Sequence, residues 1–313
     1  MISSISVSRF ASRALSTYSS PSLRELVNHP GSSGILLSRS SGYTALKVNV
    51  SLSGVATINL NRPSKQNALN VPMWAELIDA FDSASLDQTV RVCILGGEGD
   101  HFCSGMDLTV FSEMQKIASE QSCQGRKREA ILKSIEFFQR GVSAPELCIK
   151  PVLAAMTGNV IGGAIDLVTA TDMRYVTNNA KLSVKEVDLA IVADVGTMQR
   201  LPHLVGDSRA RELAYTGRDF SGSEAVKYGL ALEGFASKSE MEERVNQVAE
   251  GIAKKSPLTV RGIKKVALFT RDHSVEDSLN QVAQHNAAML FSDDLDAAFA
   301  GMMTKKRPTF KGD

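Results

Sequence analysis

The sequence predicts an α/β domain, layered and with partly parallel strand pairing, closed by a helical C-terminal region. Three observations carry this. Short apolar runs that read as strands alternate with helical apolar spacing from Tyr43 to about residue 205. Two glycine-containing turns each follow a strand and open a helix. Beyond Gly206 the apolar spacing is almost wholly helical. The balance of 43% hydrophobic and 22% charged residues suits a globular core rather than a disordered chain. A chain of 313 residues can bury that core without disulfide or metal staples.

The first two dozen residues stand apart. They hold Arg9, Arg13 and Arg24, many serines and no acid before Glu25, while Ile2, Ile5, Phe10 and Leu15 fall roughly opposite the arginines on a helix. Arg-rich, Ser-rich and acid-poor composition marks a mitochondrial targeting peptide; the plain alternative is a tail of no consequence. Ser and Gly dominate the stretch to Ser41, so residues 1–41 are set aside as a leader, residues 42–250 form the core and residues 251–313 the helical region. The chain closes Phe310-Lys311-Gly312-Asp313, which is not a peroxisomal S-K-L type signal.

Each element has its own cue. Ala45 to Val50 alternates as a strand, Ser53-Gly54 turns, and Val55 to Leu60 reads as its partner. Pro72 suits the first turn of a helix through Trp74, Leu77, Ile78 and Phe81. Val90 to Leu95 is a strand closed by Gly96-Gly97, and one long helical region spans Thr109 to Arg140. Pro151 to Met156 is a strand leading to Gly158. A helix covers Gly163 to Ala170, and Asp172 to Val176 is again a strand. Met241–Ala253, Thr259–Phe269, Val275–Leu290 and Leu295–Met303 carry helical spacing.

Global properties exclude several classes. Lys plus Arg (35) nearly balances Asp plus Glu (34), so net charge gives no general attraction to nucleic acid. Cys93, Cys103, Cys123 and Cys148 form no CxxC pair and have no histidines at zinc-finger spacing. The longest apolar runs, such as Val160 to Ala170, are too short to span a bilayer.

The glycine turns are His101-Phe102-Cys103-Ser104-Gly105-Met106-Asp107-Leu108 and Gly158-Asn159-Val160-Ile161-Gly162-Gly163-Ala164-Ile165-Asp166-Leu167. N–H groups at a helix start point outward with partial positive charge. Two such turns converging on one point would make an oxyanion hole; taken singly, each is equally a packing turn. Neither is a GxxxxGK[ST] phosphate loop or a GxGxxG fingerprint. Three acids follow. Asp166 interrupts an otherwise apolar helix, Glu186 follows a short strand, and Asp194 lies in Leu189 to Gly196. Bland roles exist for each: a satisfied core carboxylate for Asp166, a surface ion pair with Lys185 or a distant base for Glu186, an N-cap of a helix from Val195 for Asp194. Acids in apolar surroundings near an oxyanion hole favour proton transfer. His101 and His203 are expected in loops without catalytic roles, and Trp74 in packing. Lys305-Lys306-Arg307 reads as a solvated basic tail.

Several motifs together resemble the enoyl-CoA hydratase/isomerase, or crotonase, superfamily: Leu60-Asn61-Arg62-Pro63 with Asn67-Ala68-Leu69, then Phe102 to Leu108, Gly158 to Asp166, Thr171-Asp172-Met173-Arg174, and Gly196 to Pro202. The resemblance runs from about Tyr43 to the C-terminus. It implies the crotonase fold, a spiral of ββα units with a helical C-terminal trimerisation region assembled as a trimer or hexamer. A typical hydratase has Glu where Asp166 stands, a Glu at Glu186, and Gly where Asp194 stands. The third acid resembles instead the subgroup that isomerises 3,5-dienoyl-CoA to 2,4-dienoyl-CoA in fatty-acid β-oxidation.

That resemblance implies Glu186 and Asp194 as a proton-shuttling pair, with Asp166 orienting or tuning them. It implies the N–H groups of Met106 and Gly163 as the oxyanion hole, and Ser104, Gly105, Asp107 and Leu108 along the acyl-CoA. No metal or redox cofactor is expected, because coenzyme A is part of the substrate. A hydratase using Asp166 and Glu186 is the nearest rival. A non-catalytic or RNA-binding member of the same fold is the rival of another class, though a near-zero net charge and 6% aromatics weigh against RNA.

Overall fold

A computed structural model describes residues 22–24 and 42–311. Among them, nine strands form two sheets. The larger contains β1 (Leu46–Val50), β2 (Val55–Leu60), β3 (Val92–Gly97), β4 (Val152–Met156), β6 (Met173–Thr177) and β9 (Glu233–Phe235), in the order β1-β2-β3-β4-β6-β9. The smaller contains β5 (Asn159–Ile161), β7 (Lys181–Ser183) and β8 (Phe220–Ser221). β1 and β2 form an antiparallel hairpin with Val48 opposite Ile58, and every later pairing in the larger sheet is parallel. Parallel strands need crossovers, and helices supply them.

β3 and β4 are buried along their whole length, because helices cover both faces of the sheet. On one face lies α1 (Val71–Leu86), capped by the Asn70 side chain, which accepts from the Met73 N–H at 3.1 Å. Its Met73, Trp74, Leu77, Ala80, Phe81 and Ala84 recur at helical spacing and are fully buried. On the other face α8 (Lys238–Ala253) sets Met241, Val245 and Ala249 against Val55, Val92, Ile94, Leu153 and Tyr175.

The remaining helices are α2 (Leu108–Ser119), α3 (Gln124–Leu147), α4 (Gly163–Thr169), α5 (Thr197–Val205), α6 (Asp207–Thr216), α7 (Gly222–Tyr228), α9 (Pro257–Asp272), α10 (Val275–Met289) and α11 (Asp293–Thr304). The unit strand, short strand, helix repeats: β4, β5 and α4, then β6, β7 and α5. None of the described helices is long and apolar enough to cross a membrane.

The structure departs from the sequence reading at several points. The expected helix from Thr109 to Arg140 is two helices, broken at residues 120–123. Serines there bond locally instead of propagating the ladder: the Ser119 hydroxyl donates to the Lys116 carbonyl and the Ser122 hydroxyl accepts from Arg126. The region beyond Gly206 is not wholly helical, for it contributes β8 and β9. These strands of two and three residues are too short to show a period. His203 lies in α5, not in a loop. Most of the leader lies outside the described residues; within it, Leu23 is 1% exposed and Arg24 pairs with Glu120 at 3.0 Å.

Candidate active site

The smaller sheet assembles the site. Cys103 bridges Val160 in parallel, and β5 pairs with β7 in parallel, so three segments run side by side in one direction. Their C-terminal ends share an edge. Gly105-Met106 follows the first end, Gly162-Gly163 the second and Glu186 the third. Ligands of open α/β sheets bind at such edges.

Backbone donors make one side. The Leu69 N–H donates to the Gly105 carbonyl at 2.8 Å and the Asp107 N–H to the Leu69 carbonyl at 3.0 Å. The Met106 N–H between them therefore points away from Leu69. Gly163 begins α4 and has no preceding turn to bond. Among the described residues neither N–H meets an acceptor. A methyl group placed on Gly163 would lie 3.9 Å from the Met106 nitrogen, which shows how closely the two donors converge. Gly105 has φ +96, and a side chain there would come within 2.8 Å of the Ile161 carbonyl oxygen, so only glycine fits.

The loop is held from behind. The Arg62 guanidinium donates to the Ala68 carbonyl at 2.5 Å and to Asp107 at 2.9 Å. Asn67, fully buried with φ +56, donates to the carbonyls of Glu98 and His101 and accepts from the Arg62 N–H. The Asp107 carboxylate is committed to this frame. Burial pushes its pKa up, but bonds from Thr109 and Arg62 outweigh that and hold it low. Ser104 faces the Lys65 carbonyl at 3.5 Å, and Leu108 is 70% exposed beside the turn. The His101 ring accepts from the Asn159 N–H at 3.1 Å, a structural role.

Carboxyl groups make the other side. Asp166 is fully buried on α4, and its Oδ1 accepts the Thr197 N–H at 2.5 Å. Desolvation pushes its pKa up to about 6; the Thr197 bonds oppose the shift, Asp194 adds to it and Arg200 opposes it. Glu186 opens a 3-10 turn, and its Oε1 would lie 3.2 Å from a methyl group on Gly162. Desolvation, with the charges of Asp166 and Asp194, pushes it up to about 7. Desolvation also raises Asp194, whose carbonyl accepts from Gln139 at 2.7 Å. The three acids thus lie within electrostatic reach of one another. Asp166 Oδ2, Glu186 Oε2 and Thr197 Oγ1 are buried with no hydrogen-bond partner among the described residues. Buried oxygens rarely stay unpaired, so this cluster is where a bound molecule would complete the bonding.

Two bland roles are overturned. Asp194 does not cap α5: Gly196 holds that position, and the Thr197 N–H bonds to Asp166 from another helix. Glu186 does not pair with Lys185, whose ammonium reaches Asp188 at 2.8 Å and the Gly217 carbonyl at 3.0 Å. Thr197 is the functional residue that sequence reasoning missed. It sits inside the Gly196 to Pro202 motif, but no local pattern shows that its amide serves a distant acid. Among the described residues, no group of three or more His, Cys, Asp or Glu side chains is arranged to hold a metal ion.

A family model described as enoyl-CoA hydratase/isomerase matches residues 51–313. The chain is 48% identical over 258 residues to the peroxisomal Delta(3,5)-Delta(2,4)-dienoyl-CoA isomerase of Arabidopsis thaliana, covering 82% of this chain and 93% of that protein. It is 39% identical over 254 residues to the mitochondrial Delta(3,5)-Delta(2,4)-dienoyl-CoA isomerase of Homo sapiens, covering 81% and 77%. The crystal structure of an enoyl-CoA hydratase from Bacillus anthracis superposes with a TM-score of 0.76 at 30% identity, over 86% of this chain and all of that one.

Proposed function

Because the chain belongs to the enoyl-CoA hydratase/isomerase family, we propose that it converts a 3,5-dienoyl-CoA into the 2,4-dienoyl-CoA by moving a proton from C2 to C6. The observation that carries this is the third acid. Asp194 lies within electrostatic reach of Asp166 and Glu186, beside the sheet edge where the N–H groups of Met106 and Gly163 converge.

The thioester oxygen accepts from those two N–H groups, which fixes C1. C2 is bonded to C1, so the acid beside Gly162, Glu186, is the base that removes the C2 proton. Negative charge moves onto the thioester oxygen, where the fixed donors stabilise it. Double bonds re-form at C2–C3 and C4–C5 as protonated Asp194 delivers its proton to C6. Solvent exchange then restores both carboxyl groups. Desolvation raises all three carboxyls, Glu186 to about 7, so the cluster can hold and exchange a proton near neutral pH. Asp166, held by the Thr197 amide, orients and tunes the pair. The steps use no metal and no redox cofactor, and coenzyme A acts as the carrier.

A spectrophotometric assay with a 3,5-dienoyl-CoA tests this. Appearance of the 2,4-diene chromophore, reduced at least ~100-fold in Asp194→Asn, is expected. Efficient hydration of a 2-enoyl-CoA with no diene turnover, or isomerisation unchanged in Asp194→Asn, would favour a hydratase that uses Asp166 and Glu186.

Two further assignments accompany the reaction. Exposed Ile263, Val275, Leu279, Phe299, Met302 and Met303 on α9 to α11 form a contact surface for a homo-oligomer, a trimer or hexamer, which sedimentation reads directly. The leader directs the chain to the mitochondrial matrix. A fluorescent fusion of the full chain that enters peroxisomes instead would overturn that location.

A further inference from the structure

The loop that carries Asp194 and leads to Thr197 rests on one face of α3. Gln139, Val142, Ser143 and Glu146 fall at helical spacing, and all four meet the loop or its support. Gln139 donates to the Asp194 carbonyl at 2.7 Å. Val142 would lie 3.3 Å from a methyl group on Gly196. Ser143 accepts from Arg200 at 2.9 Å, and Glu146 accepts from the Arg200 Nε and Nη2 at 3.2 and 2.7 Å. The free end of the same guanidinium lies over Gly196, where a methyl group would come within 2.2 Å of Nη1.

Arg200 belongs to the first turn of α5, one turn after Gly196. A helix start carries partial positive charge, so a cation folded back over it is disfavoured unless an anion neutralises it. Glu146 does so, with the two side chains only 12% and 13% exposed. Buried ion pairs add little net stability, because desolvation offsets attraction. Their geometry is what they fix. Glu146 is gripped from a second side by Arg271 of α9, in the C-terminal helical region.

We propose that Arg200 and Glu146 are positioning residues for the isomerisation, locking the segment from Asp194 to Thr197 against α3 so that the Thr197 amide and the Asp194 carboxyl meet Asp166 and the substrate in register. Arg271 extends the lock to the C-terminal helices. This rests on the isomerase reading of the site. The charged groups around Asp166 are Asp194 on the loop, Glu186 after β7 and Arg200 on α5. Of these only Arg200 is positive, and its charge favours the ionised form of Asp166.

The test uses the full-length chain carrying Arg200→Met, Arg200→Lys, Glu146→Gln or Arg271→Met. In Arg200→Met, kcat is expected to fall ~30–100-fold with KM within about twofold, since a small misplacement of reacting groups costs on that scale. The acidic limb of its kcat profile changes position, because the cation favouring ionised Asp166 is gone and Glu186 titrates under the influence of Asp166. Arg200→Lys restores the limb but only part of kcat, lacking the planar fork. Glu146→Gln and Arg271→Met follow in that order with smaller losses. Hydrogen exchange at the Thr197 amide, which needs no substrate, quickens in Arg200→Met. Wild-type exchange, pH limb and kcat per folded molecule in Arg200→Met would overturn the proposal. Should the unmodified protein turn over no 3,5-dienoyl-CoA, the isomerase reading fails, while Thr197 exchange still decides the positioning role.

Discussion

The two sides of the candidate site are built from different material. The donor side is backbone, two N–H groups fixed by strand bridges, a glycine at φ +96 and the Arg62–Asp107 clamp. The acid side is three carboxyls, Asp166 buried, Glu186 half-buried and Asp194 exposed, the first two each with a buried oxygen left unpaired among the described residues. Backbone donors cannot be deleted by a side-chain change; they are lost only if the loop moves. Carboxyls can be neutralised one at a time with little change of shape. Damage on the first side should therefore appear in stability and rate together, and damage on the second chiefly in rate, with stability moving only through proton linkage.

The largest effect tests the acid side. Glu186→Gln removes the base while keeping nearly the same volume. An isomerisation kcat lower by ~10³-fold, with KM within about threefold, is the expected result in the diene assay. A loss below about tenfold would remove Glu186 from the C2 position. Gly105→Ala comes next and tests the backbone side. The methyl group would meet the Ile161 carbonyl at 2.8 Å and force a disfavoured φ. The Met106 N–H should shift with the loop, lowering kcat ~10²-fold and unfolding free energy by about 1–3 kcal/mol. Thermal denaturation alongside kinetics reads both, and an active variant with lowered stability would mean that Met106 is not a donor in the reaction.

The same contrast explains what the sequence could disclose. Turns that precede helices have local signatures, so Met106 and Gly163 are legible in the sequence as donor candidates, as are the strands at Val55 to Leu60 and Pro151 to Met156. Asp166 and Asp194 were legible as candidates because each interrupts an apolar stretch, and Glu186 because it follows a short strand. Their partners were not. Asp166 and Thr197 are 31 residues apart, and Arg200 and Glu146 are 54 apart, so only the folded chain joins them. Asp194 resembled a helix cap because it stands two residues before the true cap, Gly196, and nothing local told the two apart. The two-residue strand β8 and the three-residue strand β9 are pairings imposed by the neighbouring sheet rather than by their own sequence.

The smallest effect concerns the energetic cost of the acid side and has a sign fixed by proton linkage. Burial raises Glu186 from an ordinary 4.5 to about 7. Between those values the folded chain holds a proton that the unfolded chain releases, so this group's contribution to stability is full below pH 4 and is lost as pH rises to 7. Asp166 acts in the same direction, from 3.8 to about 6. Glu186→Gln cannot ionise and escapes the loss. Its melting temperature should match that of the unmodified protein at pH 4 and exceed it at pH 8. With allowance for partial solvation of the carboxyl, the gain at pH 8 is about 1–2 kcal/mol, a rise of ~2–6 °C. An equal shift at both pH values would place the effect in packing rather than in ionisation. A lower melting temperature at pH 8 would mean that ionised Glu186 is satisfied by its surroundings, and the acid side would lose its claim to a raised, proton-holding carboxyl.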